Sequence, residues 1–506
     1  MSIDRRGFLG AALALPASAS ATWSAPARDQ LVFGGSTYPP NMSPWANTGA
    51  STGGIKLLMH RGLLSYDPSG ALRGELAESW AQEGELAWVF RLREAVFQNG
   101  APVTSEDVRW TLEQVAAEKS TAYLRAEMQG VERVETPDAR TVRIVMRRPT
   151  VTLPVWMASM YLPIVAKGST DGSGPGIGAG PYRLTAQEKG VSLEFERFDR
   201  FYRPGQPKLR SVKFVIYADE NTRVAALHAG DVDIIEYVPW QAMQAIEADP
   251  KLRLDGVNGA FMYLTFNGRN GPFKDPRVRL AAALAVRREE IVKAAFYGYG
   301  SPLEGLPIPE GSDFYNPDLS RVWRADQARA KALLAEAGLA DGFSCNLLST
   351  AQFGMMRDTG VVVQQHLAEI GIKAQLNLPD WGGRVTLASR GQYDLSIAGT
   401  ATDNNDPDAL TSLVDGSLPA SFQRSFGLSV PRISELLIEG RGAFDKTKRK
   451  AIYDDLQRTV GAEASFVGLA WRRQAYAVRR EVQGFKNMPG ALTFYSNLTL
   501  DEATLG

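Results

Sequence analysis

The chain has 506 residues, 44% hydrophobic and 22% charged, which is enough apolar material for more than one core and a length that points to two to four domains. Its 56 Lys and Arg balance 56 Asp and Glu, so nothing marks a nucleic-acid footprint. A single cysteine, Cys345, excludes an internal disulfide. Beyond the N-terminus no apolar run reaches the ~20 residues that span a bilayer.

Residues 1–27 read as an export segment. Arg5-Arg6-Gly7-Phe8-Leu9 resembles the twin-arginine signal, a short apolar stretch follows, and Ala17-Ser18-Ala19 and Ala19-Ser20-Ala21 both offer small-x-small cleavage sites. No cysteine lies near them, so a lipid anchor is excluded. The expectation is a soluble protein of a Gram-negative periplasm.

Residues 31–33 begin the mature chain as a strand, and the loop after it carries Tyr38. The stretch 60–113 reads as a strand (63–66), a turn at Pro68-Ser69-Gly70, a helical turn over 75–79 ending at Trp80, and an alternating strand over 87–92. Thr104 to Asp107 has the form of a capping box. Tyr123 follows the helix that this box opens. A further strand is expected over 141–146.

The glycine-rich loop 168–180 contains Gly174, Gly176 and Ala179 in the spacing of a dinucleotide loop. Pro181 and Tyr182 open a strand instead of the helix N-terminus that a pyrophosphate needs, which excludes that reading. A hairpin around Lys189-Gly190 and a strand over 212–216 come next. A helix over 221–229 ends at Gly230, and Asp231 and Asp233 read as a solvated turn. Residues 263–267 look like a crossing strand. Asp275 is a good N-cap and Pro276 suits the first helical position, for one helix running to Gly298.

Asp326 caps a helix over 327–337 closed by Gly338, and 361–370 is another. Residues 372–378 form a strand, Asp380 caps a short helix over 382–389, and 393–398 is a second strand. This is a βαβ unit with parallel strands. Ligands collect beyond the carboxyl ends of such strands, here at Gly399, Thr400, Ala401, Thr402 and Asp403, with Trp381 placed to wall the same spot. Helices over 433–437 and 448–464 precede a strand over 467–471, whose Trp471 could face the cleft. Residues 475–478 return as a second crossing.

Five short motifs occur in order in this chain: G-L-x-x-Y-D (62–67), L-A-E-S-W (76–80), N-G-A-P-V-T-S-E-D-V (99–108), G-A-G-P-Y (178–182) and the G-x-Y-D-L strand leading to D-x-x-D-P (391–407). Together they resemble the extracytoplasmic solute-binding proteins of ABC transporters that include the oligopeptide- and dipeptide-binding proteins. The resemblance covers nearly the whole mature chain. It implies an α/β, two-lobed type II periplasmic binding fold with a hinge of two crossing segments. Lobe 1 would hold residues 28–263 with an extra subdomain at about 58–177, lobe 2 residues 268–475, and 478–506 would return to lobe 1. It implies a monomer that captures di- or oligopeptides or related amine-bearing solutes and delivers them to a membrane permease with a cytoplasmic ATPase. In that family the aspartate opening the last loop holds the ligand's amino terminus, and by position this is Asp403. Tyr38 and Tyr123 match positions that can face the cleft. The family often has an aromatic residue where this chain has Thr400. The arginine that holds the carboxylate in some dipeptide binders falls near Thr350, and the nearest arginine is Arg357. Opines and other sugar conjugates are therefore the alternative solutes.

Chemistry of other kinds is poorly represented. His60, His228 and His366 are scattered, and no H-E-x-x-H, G-x-S-x-G or cysteine pair occurs. The reading is a binding protein without cofactor or metal, not an enzyme. A secreted hydrolase using a carboxylate pair is the alternative of another class.

Overall fold

The computed structural model describes residues 28–506; the export signal read in residues 1–27 lies outside the described residues. One eleven-stranded sheet organises the molecule. In its first half Gln30–Gly35 pairs in parallel with Ser211–Ile216 and Ile234–Ile235, and the hairpin Tyr182–Glu188 and Ser192–Arg197 extends the edge. In its second half Phe343–Leu348, Ile372–Asn377 and Leu395–Ala401 run parallel. Ile372–Asn377 and Leu395–Ala401 are the strands of the expected βαβ unit, but Phe343–Leu348 lies between them.

Two long strands join the halves. Leu252–Phe266 has 15 residues and Val467–Arg479 has 13, and at about 3.3 Å per residue each is long enough to run through both. They pair with each other along most of their length. Ala477 and Val478 also pair with Ile235 and Ile234 in the first half, while Ala260–Phe266 pairs with Leu395–Ala401 in the second. The register slips between Asn258 and Ala260. Gly259 sits at that slip, where a Cβ would lie 1.9 Å from the Gly490 carbonyl oxygen. The sequence suggests a strand over 467–471 and a separate crossing over 475–478. The strand is continuous from Val467 to Arg479, and Arg472 and Gln474 within it are buried.

A separate four-stranded antiparallel sheet has the order Ala77–Glu83, Ala87–Leu92, Thr141–Met146, Val131–Asp138. Its core includes Phe90, Val108, Leu112 and Ile144, and the C-terminal segment adds Leu492, Phe494, Tyr495 and Leu498. The helix Ser105–Ala116 starts where expected, with the Thr104 amide and hydroxyl donating to Asp107 Oδ2 at 2.9 and 2.7 Å.

Three local expectations are corrected. Residues 75–79 are not a helical turn: Ala77–Glu83 is a strand paired with Ala87–Leu92. The helix after Asp275 is two helices, Pro276–Ala285 and Arg288–Phe296. The fully buried Arg288 bends back, and its Nη1 donates to the Ala283 and Val286 carbonyls at 3.3 and 3.1 Å, satisfying groups that a continuing helix would use. Asp233 is not solvated. It is buried, pairs with Arg28 and accepts from the Val32 amide at 2.8 Å, tying the first strand down.

Candidate functional site

The loop that follows the strand Leu395–Ala401 faces a cavity of about 110 Å³ between the sheet halves. Each side chain on its floor is held from below. Asp380 Oδ1 accepts from the Gly383 amide at 2.7 Å and starts the helix Trp381–Ser389. That places Trp381 edge-on to Phe353 and Phe422, with ring centroids 5.4 and 5.8 Å apart. The buried Arg384 lies 5.3 Å from the Trp381 ring centroid and donates to the Ile397 carbonyl at 2.8 Å. A Cβ at Gly399 would come within 2.7 Å of Met262 Sδ and would have to push that methionine aside. Thr400 Oγ1 accepts from Gln423 Nε2 at 3.4 Å.

The opposite wall comes from the loop after the first strand and the helix Ala50–Lys56. Ser36 and Ser51 are oriented by one buried acid. Glu236 Oε1 accepts from the Ser36 amide and hydroxyl, both at 2.8 Å, and from the Ser51 hydroxyl. Tyr161, Tyr237, Phe494 and Tyr495 supply aromatic surface.

Three acids in the loop have different surroundings. Asp406 takes both terminal nitrogens of Arg449 at 2.7 and 2.8 Å, and Asp408 pairs with Arg441 at 3.0 Å. Those two brace the loop. Asp403 has no cationic partner among the described residues; its bond comes from the Tyr123 hydroxyl at 2.6 Å, reaching across from the other side of the cleft. Burial pushes the Asp403 carboxyl up to about 6, against the opposing effect of that hydrogen bond. Tyr123 and Asp403 also border an outer chamber of about 370 Å³ that contains Glu127 and Arg424. Burial pushes Glu127 up to about 7.

The structure thus brings Asp403, Trp381, Gly399, Thr400 and Ala401 to one cavity, with Tyr123 in the outer chamber bonded to Asp403. Neither Tyr38 nor Trp471 lines this inner cavity. The Tyr38 hydroxyl donates to Gln187 Oε1 at 3.1 Å and its ring packs on the first sheet, so that Ser36 and Thr37 line the cleft instead. Trp471 packs edge-on to Phe261 at 5.6 Å, lines a cavity of about 540 Å³ with Glu304 and Arg324, and also borders a narrow one shared with Thr402, Asn404 and Asp406 of the loop after Leu395–Ala401. Alternation explains the swap: Trp471 and Arg472 are neighbours on one strand and point to opposite faces.

Sequence reasoning missed Arg472, which lines the inner cavity and is 1% exposed. No motif surrounds it, and its two polar neighbours disguised it as a strand end. Thr350 and Arg357 do not replace it. Thr350 Oγ1 donates to the Pro379 carbonyl at 2.8 Å, and Arg357 is exposed and bonded to Asp358. The histidines are spoken for: His60 contacts the Pro175 carbonyl, His228 pairs with Asp249 and His366 with Glu290. Cys345 is buried and its thiol is pushed up to about 12 by burial. Among the described residues no cluster of His, Cys, Asp and Glu is placed to hold a metal.

The family model for bacterial extracellular solute-binding proteins, family 5, matches residues 71–422. The glutathione-binding protein GsiB of Pectobacterium atrosepticum is 26% identical over 522 residues, covering 99% of each chain. Its Escherichia coli K12 counterpart is 25% identical, covering 96% of this chain and 97% of the relative. Among solved structures, the periplasmic binding protein AgaA from A. tumefaciens R10, in complex with agropinic acid, is 37% identical with a TM-score of 0.89, covering 94% of this chain and 99% of AgaA. A dipeptide-binding protein from Pseudoalteromonas sp. SM9913 with Met-Leu bound has a TM-score of 0.84 at 20% identity, covering 94% and 100%, and at that identity speaks for the fold alone. The fold is the two-lobed α/β fold of periplasmic binding proteins, with the extra subdomain.

Proposed function

The chain belongs to the bacterial extracellular solute-binding proteins of family 5, and on that premise we propose that it captures a compact, amine-bearing solute between two closing lobes and delivers it to an ABC permease. The observation that carries this is the inner cavity with Asp403 as the one acid of its loop left without a cation. The solute class that fits best is an opine, an amino acid joined to a sugar or polyol. The cavity is small, and hydroxyl and amide side chains such as Ser36, Thr37, Asn47 and Gln423 alternate there with rings. Such a lining suits a polyhydroxylated chain, with hydroxyls to bond and C–H faces to cover. The 37% identical AgaA holds agropinic acid. A short peptide of the size of glutathione is the second reading, favoured by relatives matched along their whole length. A solute of either class that carries a free amine would put it on Asp403, whereas agropinic acid, whose nitrogen is a lactam amide, would be held by its carboxylate and hydroxyls.

The rest of the reading follows the family. Residues 28–263 with 478–506 would form one lobe and 268–475 the other, hinged at the two segments that cross between them, 263–267 and 475–478. The protein would act as a periplasmic monomer, without cofactor, and return its solute chemically unchanged. Export would use Arg5 and Arg6, and replacing both by lysine is expected to hold the precursor in the cytoplasm. Normal delivery of that variant to the periplasm, followed by cell fractionation, would show that another route is used.

A melting screen tests the solute class with agropinic acid, glutathione, Met-Leu and a nonapeptide. A ligand at 100 times its dissociation constant stabilises by about 2.7 kcal/mol, so true binders shift the transition measurably. Agropinic acid or glutathione should do so and the nonapeptide should not. A shift with the nonapeptide alone would replace the compact-solute reading with a long-peptide one.

A further inference from the structure

Arg472 is a buried cation with unspent hydrogen-bonding capacity at the wall of the inner cavity. The fully buried arginines include Arg61, Arg223, Arg279, Arg288, Arg384 and Arg472. Arg61 donates to both oxygens of Asp501 at 2.8 Å. Arg223 donates to three backbone carbonyls. Arg279 and Arg288 are surrounded by carbonyls in the same way. Arg384 lies against the Trp381 ring and bonds the Ile397 carbonyl.

Arg61, Arg288 and Arg384 also leave one nitrogen without a partner, but of these arginines Arg472 is the one that lines the inner cavity. Among the described residues its Nη1 donates to Gln474 Oε1 at 2.6 Å and the Tyr237 hydroxyl lies against it, while Nε has no partner and no carboxylate pairs with it. A guanidinium carries five N–H donors, and burying it without an anion is costly. The group is nevertheless held rigidly. Its carbon lies 5.9 Å from the Tyr237 ring centroid and 5.8 Å from that of Trp240. Tyr237 itself is kept at a φ of 47°, in the left-handed region that a tyrosine seldom occupies. A strained residue supporting an under-used cation at a cavity wall is the pattern of a preformed binding group.

We propose that Arg472 is the anion subsite of the cavity and receives the carboxylate of the bound solute on its free N–H groups. The planar fork of a guanidinium matches a carboxylate in two parallel bonds. With Asp403 on the same cavity, the site then carries one negative and one positive group, complementary to the ammonium and carboxylate of a single amino-acid unit. Position adds a consequence. Arg472 pairs with Ala260 just beyond the register slip, so a carboxylate held there fixes the solute at the point where the two halves of the sheet meet. The inference rests on the proposed function above, and it names the group that recognises the acid end of the solute.

The test uses agropinic acid and its carboxamide as probes, titrated calorimetrically into the full mature protein. The wild type should bind the acid about 30-fold more tightly than the amide, the low end of what truncating one partner of a buried charged pair costs. Arg472→Met should bind both alike. Arg472→Lys, a point charge without the fork, should keep only part of the preference. Equal binding of acid and amide by the wild type would overturn the inference and needs no variant. So would a full preference retained by Arg472→Met. In either case the compact-solute reading survives, because the solute still binds. If neither the acid nor the amide binds, the opine reading falls and the inference falls with it.

Discussion

Asp403→Asn is expected to bind amine-bearing solutes about 30-fold to several-thousand-fold more weakly than the wild type while remaining folded. The substitution keeps the shape of the side chain and removes its charge. An ammonium seated there would lose a charge-assisted hydrogen bond and stay buried without an anion, which costs about 2–5 kcal/mol. An N-acetylated form of the same solute, having no ammonium, should bind wild type and variant alike. Trp381→Ala should also weaken binding, but by removing apolar contact, and therefore for amine and acetylated forms equally.

The proton linkage of Asp403 gives a second readout. Its folded-state carboxyl is raised to about 6 from an ordinary 3.8. A raised carboxyl favours the folded state while it is protonated, so that contribution is present below about 4 and is lost as pH rises through about 6. At pH 7 to 8 the empty wild type therefore carries a buried anion with only the Tyr123 hydroxyl to offset it. Asp403→Asn removes that burden, and the empty variant should melt no lower than wild type at pH 7.5. A role limited to bracing the loop predicts a lower melting temperature, unchanged affinity and no amine preference; Asp406 and Asp408, each paired with an arginine, fit that role instead. Affinity for an amine should also fall as pH drops below 6, because the anchor is then neutral.

The parts of this molecule that sequence made legible are those set by local rules. Caps at Asp275, Asp326 and Asp380, the strand after Gly180, and the loop beyond Leu395–Ala401 follow from residue type and spacing. Gly178 and Gly180 read as a motif and prove to be glycine because a Cβ at either would come within 2.3 Å of the Met59 backbone. What stayed hidden depends on contacts distant in sequence. Tyr123 and Asp403 meet across 280 positions, and Glu236 orients Ser36 and Ser51 from 200 and 185 positions away. Arg472 was hidden for another reason. A polar residue in a strand reads as an exposed face or a break unless it is known that the strand runs beneath a cleft. Trp471 and Arg472 are one residue apart, and in a strand one residue is the other face.

Glu75 carries the largest expected effect on stability, and Glu75→Gln should cost about 3 kcal/mol while leaving solute affinity unchanged. The residue sits just before the L-A-E-S-W motif, where sequence suggests only a helical turn. In the structure it is fully buried. Its Oε2 accepts from Ser65 and Arg203, each at 2.5 Å, its Oε1 lies 3.3 Å from Arg61 Nε, and the Tyr202 hydroxyl donates to it as well. Arg61 and Arg203 in turn reach Asp501 in the C-terminal segment, at 2.8 and 3.6 Å. One acid therefore helps to join the strand Leu64–Tyr66, the loop after Phe201 and the end of the chain. Removing one charge from a buried network typically costs 3–5 kcal/mol, because the remaining charges stay buried and under-neutralised. The lower end applies here because Asp501 remains to face both arginines. Its own carboxyl is pushed up by burial, which opposes the gain at Glu75. For Glu75 itself burial raises the carboxyl, but Arg203, Arg61 and Arg73 outweigh that effect and hold it at about 2, against 4.5 when free. A depressed carboxyl stabilises the fold above about 4.5 and loses that contribution as pH falls toward 2. The measurement is urea unfolding at several pH values. Wild type and Glu75→Gln should differ by about 3 kcal/mol at pH 7 and converge toward pH 2. A constant difference across that range would mean that the lost hydrogen-bond geometry, and not the charge, supports the fold. The cavity residues are not part of this network, so solute affinity of the folded variant at pH 7 is the control that separates stability from binding.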